Sequence, residues 1–305
     1  MASNQPRNPR DDRTGPDEDR PRKPRTQRKG HDRIVRPSAQ EPPVEPLKGK
    51  VALVTGGSRR VGKAIALALA QAGMDVAITY QRSGGDAGEV VRRIERLGRR
   101  ALAIPADLAE ANAADFIHDA FIAHFDRCDA LINNASIFDR TPIGSITLEA
   151  IEQQFAVNAR APVMLMQKFA PMLAAHAVVD TKADPSRRKP VQDAGRIVNF
   201  IDIHVMGQPL RGYMAYNMSK AALQEATMTA AMELAPKVTV NAIAPGVVAW
   251  AESYKPAQRK AYMKRVPLGR PGTPEDAAAA VLFLVRDADY CTGQIIRLDG
   301  GRLYT

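Results

Sequence analysis

The sequence predicts an α/β fold, a single doubly wound parallel sheet of about seven strands with helices on both faces. Three observations carry this. Short apolar runs alternate with amphipathic stretches of helical period; a glycine-rich turn joins the first run to the first helix; and a Tyr-x-x-x-Lys spacing lies on a later, Ala-rich helix. Alternating βαβα with short turns implies a parallel sheet covered on both faces. Right-handed crossovers then leave a crevice at the carboxyl ends of the strands.

The predicted strands are 51–54, 75–80, 101–104, 129–132, 196–201, 237–243 and 294–298. The first, Val51-Ala52-Leu53-Val54, is apolar at every position with a β-branched valine at each end, as a strand buried on both faces should be. Helices are expected between the strands, over 60–72, 85–97, 111–124, 147–174, 213–235 and 274–286. Residues 177–195 hold charges and two prolines and read as a long loop. Residues 247–268, after Pro245-Gly246, are placed to form a lid over the crevice. Neither segment reads as a second domain, so residues 47–305 are expected to form one.

Residues 1–46 differ from the rest. They hold nine of the 22 prolines, mixed charges and no aromatic residue. Such a segment cannot bury enough apolar surface to offset its ordering entropy and is expected to be a disordered basic tail. A partner- or polyanion-binding arm is the functional alternative. The acids Asp11, Asp12, Asp17, Glu18 and Asp19 argue against a transit peptide.

Composition excludes several classes. The net charge is +10, but Lys and Arg are scattered and form no basic stripe with interleaved aromatics, so the main domain is not expected to bind nucleic acid. Cys128 and Cys291 form no Cys-x-x-Cys pair, which fits a reducing compartment. The five histidines have no ligand spacing, so no metal is expected. Ser219 lacks triad partners, which leaves serine-hydrolase chemistry unsupported. No apolar run reaches the ~18 residues of a membrane span, and no signal-peptide core appears. A soluble, cytoplasmic protein is expected.

The turn Thr55-Gly56-Gly57-Ser58-Arg59-Arg60-Val61-Gly62 follows the first strand and opens an Ala/Leu-rich helix. Glycines permit tight turning and close approach, and the helix start offers unpaired N–H groups, which together suit a phosphate. The second strand ends Tyr80-Gln81-Arg82-Ser83, without the carboxylate that a ribose 2′-OH usually receives. Arg82 and Ser83, with Arg59 and Arg60 nearby, suit a 2′-phosphate instead and favour NADPH; the alternative is solvated surface charge. Asp107, past the third strand, is a candidate for the adenine amino group or for a helix N-cap. Tyr216 and Lys220, four apart on a helix, are neighbours. A nearby cation is expected to lower the phenol pKa and make Tyr216 a proton donor and acceptor.

In their order, Thr55-Gly56 to Gly62, Asp107, Asn133-Asn134-Ala135, Asn158, Tyr216 to Lys220, Asn241 and Pro245-Gly246 resemble the short-chain dehydrogenase/reductases, with their Rossmann-type fold, from about residue 47 to the end. Within that family the chain looks most like the pteridine and dihydromonapterin reductases. Arg60 stands where a glycine is usual, and Tyr80 to Ser83 resembles an NADPH-selecting segment. Ser136, in Asn134-Ala135-Ser136-Ile137-Phe138, replaces a common glycine. Asp202-Ile203-His204 lies where a general member carries its catalytic serine.

The resemblance implies roles. Tyr216 would be the proton donor and Lys220 would hold the nicotinamide ribose. Asn158 would support a proton-relay water, and Asp202 would act with Tyr216. Gly56, Arg59, Arg60, Val61, Gly62, Arg82, Ser83, Asp107, Leu108, Asn134, Ala135, Ser136, Pro245 and Gly246 would line the NADPH site with Tyr216 and Lys220. Ser136 and Phe138 would contact a flat bicyclic substrate, and Arg60 would meet the pyrophosphate. Relatives are usually tetramers, so a homotetramer is expected.

A serine hydroxyl can donate to a carbonyl oxygen as negative charge develops there, whereas an ionised carboxylate opposes it. Asp202 would accept from ring N–H or amino groups, which favours C=N over ketone chemistry. Its spacing is off by one: Asp202 precedes Tyr216 by fourteen residues, and a bulge around Val205-Met206-Gly207 is needed to absorb the excess. With strict register, Ile203 would face the site and Asp202 would not. Trp250, the only tryptophan, is expected either to stack over substrate or to pack beneath the lid. His204 is within reach of substrate or serves a loop role. The leading expectation is NADPH-dependent reduction of a dihydropterin, with dihydrofolate as a further substrate. A carbonyl or 3-oxoacyl-thioester reductase is the alternative, and a catalytically inactive nucleotide sensor a third reading.

Overall fold

Strand β1 (Val51–Val54) shows how the core divides. Successive side chains of a strand point to opposite faces. Ala52 and Val54 enter one apolar cluster, while Val51 and Leu53 enter the other. The structure, a computed structural model, describes residues 46–187, 189–250 and 254–305. The tail expected over 1–46 therefore lies, Pro46 excepted, outside the described residues.

Seven parallel strands form one sheet in the order β3-β2-β1-β4-β5-β6-β7. They are β1, β2 (Asp75–Tyr80), β3 (Ala101–Pro105), β4 (Ala130–Asn133), β5 (Gly195–Phe200), β6 (Val238–Pro245) and β7 (Ile295–Leu298). The order reverses between β1 and β4, and a crevice opens there beyond the carboxyl ends. Helices α1 (Arg60–Gln71), α2 (Gly84–Arg96) and α8 (Pro274–Leu282) contribute Ile65, Leu69, Val90, Ile94 and Val281 to the first cluster. Helices α3 (Ala113–Ile122) and α5 (Ala161–Ala174) contribute Ile117, Phe121, Leu165 and Phe169 to the second. Phe121 and Phe169 meet edge to face at 5.2 Å, a contact worth about 1 kcal/mol beyond its buried area.

Two expected helices are interrupted. The stretch 147–174 divides into α4 (Leu148–Phe155), a π-turn over Ala156–Arg160, and α5. Pro162 has no N–H to return to the fourth residue back, and the Ala161 N–H reaches five back to Ala156 O. The widened turn carries Asn158, fully buried, toward the crevice. The stretch 274–286 likewise ends in a π-turn over Phe283–Asp287. The long α6 (Met214–Leu234) matches its expected bounds to within a residue. The lid region contains one helix, α7 (Pro256–Met263), and the 177–195 loop is pinned by a bridge between Val178 and Gln192. Among the described residues no helix is long and apolar enough to cross a membrane.

Candidate active site

The glycine turn is folded hard against its neighbours. Gly56 has φ +63°, and its N–H donates to Thr79 Oγ1. A Cβ on Gly62 would lie 2.1 Å from Gly56 O and 2.7 Å from Asn134 Nδ2. Thr55 Oγ1 accepts from the N–H groups of Asn134 and Ala135, each at 3.0 Å, which ties the turn to the end of β4. Helix α1 has no side-chain cap and no acid in its first turn. Its free N–H groups and positive end therefore face the crevice.

A groove of about 740 Å³ follows from there. Of the expected cofactor residues, Gly56, Arg59, Arg60, Val61, Gly62, Arg82, Ser83, Asp107, Leu108, Asn134, Ala135, Ser136 and Gly246 all line it. Ser83 Oγ lies 2.6 Å from Ser58 Oγ, and Arg59 pairs loosely with Asp86 at 3.8 Å. Arg82 is exposed and has no ion pair among the described residues. Asp107 is not the N-cap of α3, which starts at Ala113 after Asn112. Its Oδ1 closes the local turn by accepting from Ala109 N, and its Oδ2 accepts from Gln81 Nε2 at 2.7 Å.

The groove opens into a cleft of about 260 Å³ lined by Arg60, Ser136, Phe138, Asp202, Tyr216 and Pro245, with His204, Tyr254 and Tyr262. Asp202 points inward. A turn of 3-10 helix over Ile203–Val205 begins directly after it, and Asp202 Oδ1 caps that turn by accepting from His204 N at 2.8 Å. Gly207, at φ +105°, takes a left-handed conformation in the loop that follows. Ile203 instead is buried with Ile201 and Leu223. Asp202 Oδ2 accepts from Tyr216 Oη at 2.7 Å.

Lys220 sits beneath this pair, 1% exposed, with Nζ donating to Phe200 O at 2.7 Å and lying 6.0 Å from the Tyr216 ring. The expected lowering of the phenol pKa is reversed: burial, then the Asp202 carboxylate, hold Tyr216 well above 10. Burial also brings the Lys220 ammonium down to about 8, against the opposing pull of Asp202. The arrangement keeps Tyr216 protonated at neutral pH, the state of a donor and not of a base.

The side chain of Asn158 is fully engaged, whereas its backbone carbonyl lacks the N–H partner that Pro162, four residues on, cannot supply. Its Oδ1 accepts from Ser136 Oγ (3.0 Å) and Ile137 N (2.9 Å), and its Nδ2 donates to Ile137 O (3.0 Å) and Ser219 Oγ (3.1 Å). It fixes the Ser136–Ile137 turn, which aims Phe138. Phe138 stacks on Tyr213 at 4.4 Å and 13° and presents its edge to Tyr216 at 4.8 Å.

Arg60, at φ +50°, donates through Nη2 to the carbonyls of Ala249 and Trp250, both at 2.8 Å, linking the turn to the lid. Trp250 packs within the lid, against Tyr254 and Tyr262 (5.5 Å each) and Arg259 (5.4 Å), and does not line the cleft. Tyr213, Tyr254 and Tyr262 were not anticipated. Tyr262 Oη holds the lid base by accepting from Val247 N at 3.1 Å. No cluster of three or more potential metal ligands occurs among the described residues.

A family described as enoyl-(acyl carrier protein) reductase matches residues 56–302. A 3-oxoacyl-[acyl-carrier-protein] reductase of Synechocystis sp. is 36% identical over 259 residues, spanning 84% of this chain and 97% of its own length. Pteridine reductase 1 of Leishmania tarentolae is 34% identical over 286 residues, 82% of this chain and 95% of its own. Among solved structures, the FolM alternative dihydrofolate reductase 1 from Brucella canis, complexed with NADP, superposes with a TM-score of 0.74 at 31% identity, covering 86% of this chain and 96% of that one.

Proposed function

The chain belongs to the short-chain dehydrogenase/reductase family, and within it we propose that it is an NADPH-dependent reductase of a dihydropterin C=N bond. The observation that carries the reading is the Asp202 carboxylate facing the cleft and accepting from Tyr216 Oη. A carboxylate there opposes an oxyanion but accepts readily from ring N–H and amino groups.

The groove suits NADPH on its own chemistry. Gly62 leaves no room for a Cβ, the α1 N-terminus is uncapped, and Arg82 with Ser83 stands at the end of β2 without an acid. Arg82 and Ser83 would take the 2′-phosphate and Lys220 the nicotinamide ribose. When bound, NADPH supplies the hydride.

The chain's own residues handle position and proton. Phe138, its ring backed by Tyr213, offers a flat wall for a planar bicycle. Tyr216 Oη donates its proton to the ring nitrogen of the reduced bond. The Tyr216–Asp202 pair is then left one proton short, and buried Lys220 is the cation beneath it until solvent refills the pair. Tyr254 and Tyr262, from the segment after Gly246, line the cleft wall beside Asp202 and Tyr216.

A second reading, reduction of a carbonyl or 3-oxoacyl thioester, is favoured by the similarity to the Synechocystis reductase. The two separate by following NADPH oxidation against dihydrobiopterin, dihydromonapterin, dihydrofolate and an acetoacetyl thioester, with NADH and with Asp202→Ser as comparisons. Dihydropterin turnover that prefers NADPH and collapses in Asp202→Ser is expected. Turnover of the thioester alone, tolerant of Asp202→Ser, would replace the proposal with the second reading.

The proposal extends to a homotetramer. Val163 and Met164 on α5 and Met218 and Met232 on α6 are exposed apolar side chains on the long helices. Light scattering on the eluting protein tests it, and a monomer would exclude it.

A further inference from the structure

His204 lines the same cleft as Asp202 and Tyr216, and its surroundings determine which of its nitrogens is available. Nδ1 lies 2.8 Å from the Gln208 carbonyl oxygen. A carbonyl only accepts, so Nδ1 carries the hydrogen and the neutral ring keeps its lone pair on Nε2. No hydrogen bond engages Nε2 among the described residues.

The ring is also held from behind. The His204 N–H donates to Asp202 Oδ1 at 2.8 Å. Gln208 Nε2 donates to Leu303 O at 2.6 Å, and Gln208 Oε1 accepts from Arg302 Nη1 at 3.1 Å and Arg265 Nη2 at 3.4 Å. The C-terminal turn thus anchors the loop that carries His204 at the cleft wall, and such backing preorganises a recognition group.

Resting on the proposed reductase reading, we infer that His204 is a specificity-determining residue, whose Nε2 accepts a hydrogen bond from an O–H or N–H of the substrate beyond the reacting bond. His204 lies two residues past Asp202, a span of at most about 7 Å, so it reaches the next portion of a molecule whose reacting nitrogen meets Tyr216. An occupant with only C–H groups there strips water from Nε2 and leaves it unpaired, whereas a donor restores the bond. Sites built around such an acceptor reject analogues lacking the donor. The donor is either a hydroxyl of a polyol side chain or a ring N–H of the pterin.

The test compares His204→Leu with wild type on dihydromonapterin, which has a hydroxylated chain, and on methyl-dihydropterin, which has ring N–H groups and no hydroxyl. The expected result for dihydromonapterin is a KM raised about tenfold with kcat within about twofold, largely restored in His204→Gln. A penalty on dihydromonapterin alone assigns the donor to the side chain, and a penalty on both assigns it to the ring. Unchanged KM for both substrates, or a penalty that His204→Gln does not relieve, would overturn the inference while leaving the reductase reading intact. If wild type turns over neither pterin, the reductase reading fails. Calorimetric binding of the same two compounds to wild-type and His204→Leu protein then decides His204 by the same comparison.

Discussion

Tyr216 and Asp202 share a 2.7 Å hydrogen bond, with the phenol as donor and the carboxylate as acceptor. The pairing reverses what the Tyr-x-x-x-Lys spacing alone implies. Lys220 lies 6.0 Å from the ring and spends its contact on Phe200 O, while burial and the carboxylate favour the neutral phenol. Tyr216 is therefore held ready to give a proton.

Removing the carboxylate should expose this directly. In Asp202→Asn the Tyr216 ionisation is expected to move down but to stay above the ordinary range, because the Asp202 charge is gone while burial, the larger cause, and the Tyr254 phenol remain. Ultraviolet difference titration against Tyr216→Phe measures it. Turnover of dihydropterin should fall by about 10²-fold or more. An unmoved phenol titration would contradict the proposed coupling.

Lys220 predicts a pH dependence of stability in the cofactor-free protein. Its folded pKa, about 8, lies below the unfolded value near 10.5, so the unfolded chain binds more protons between them. Stability from this group is present above the unfolded pKa and is lost as pH falls through 8. Tyr216 acts oppositely above pH 10, where its raised folded pKa makes stability fall with rising pH. Lys220→Met should be stabilised at neutral pH by up to on the order of 3 kcal/mol and should lose the rise between pH 8 and 10. Denaturant midpoints across that range, compared with wild type, decide it.

Gly62→Ala should cost both fold and cofactor. The added methyl would meet Gly56 O at 2.1 Å, and backbone cannot yield as a flexible side chain does. A destabilisation of about 1–3 kcal/mol is expected, with NADPH affinity reduced at least about tenfold as the turn moves. Thermal unfolding and NADPH titration are the checks; wild-type values in both would show that the turn has slack.

Arg82→Ala should raise the KM for NADPH by about tenfold or more and leave that for NADH nearly unchanged, since the guanidinium is expected to meet only the 2′-phosphate. A parallel loss with both nucleotides would move the selecting charge elsewhere, with Arg59 the next candidate.

Much of this was legible because it is local. The seven strands and most helices followed from apolar periodicity, and the turn from 55 to 62 from glycine spacing, while the π-turns that interrupt the helices expected over 147–174 and 274–286 did not. Asn158 was picked out, yet its side-chain bonds to Ser136, Ile137 and Ser219 are made from a π-turn directly before Pro162. Tyr254 and Tyr262 had no local signal. They line the cleft through the path of the segment after Gly246, and Trp250 packs against both of them.

Periodicity and side-chain chemistry, acting within a few residues, were enough for the doubly wound sheet, its crevice and the bias toward an NADPH-type groove. The orientation of Asp202 was not available that way, because a one-residue offset exchanges it with Ile203. Folding resolved the choice. Ile203 found an apolar site beside Ile201 and Leu223, and the Asp202 carboxylate found donors in His204 N and Tyr216 Oη. Burying an isoleucine is favourable and burying an unpaired carboxylate is not, and the partners that decide between them come together only in the tertiary structure.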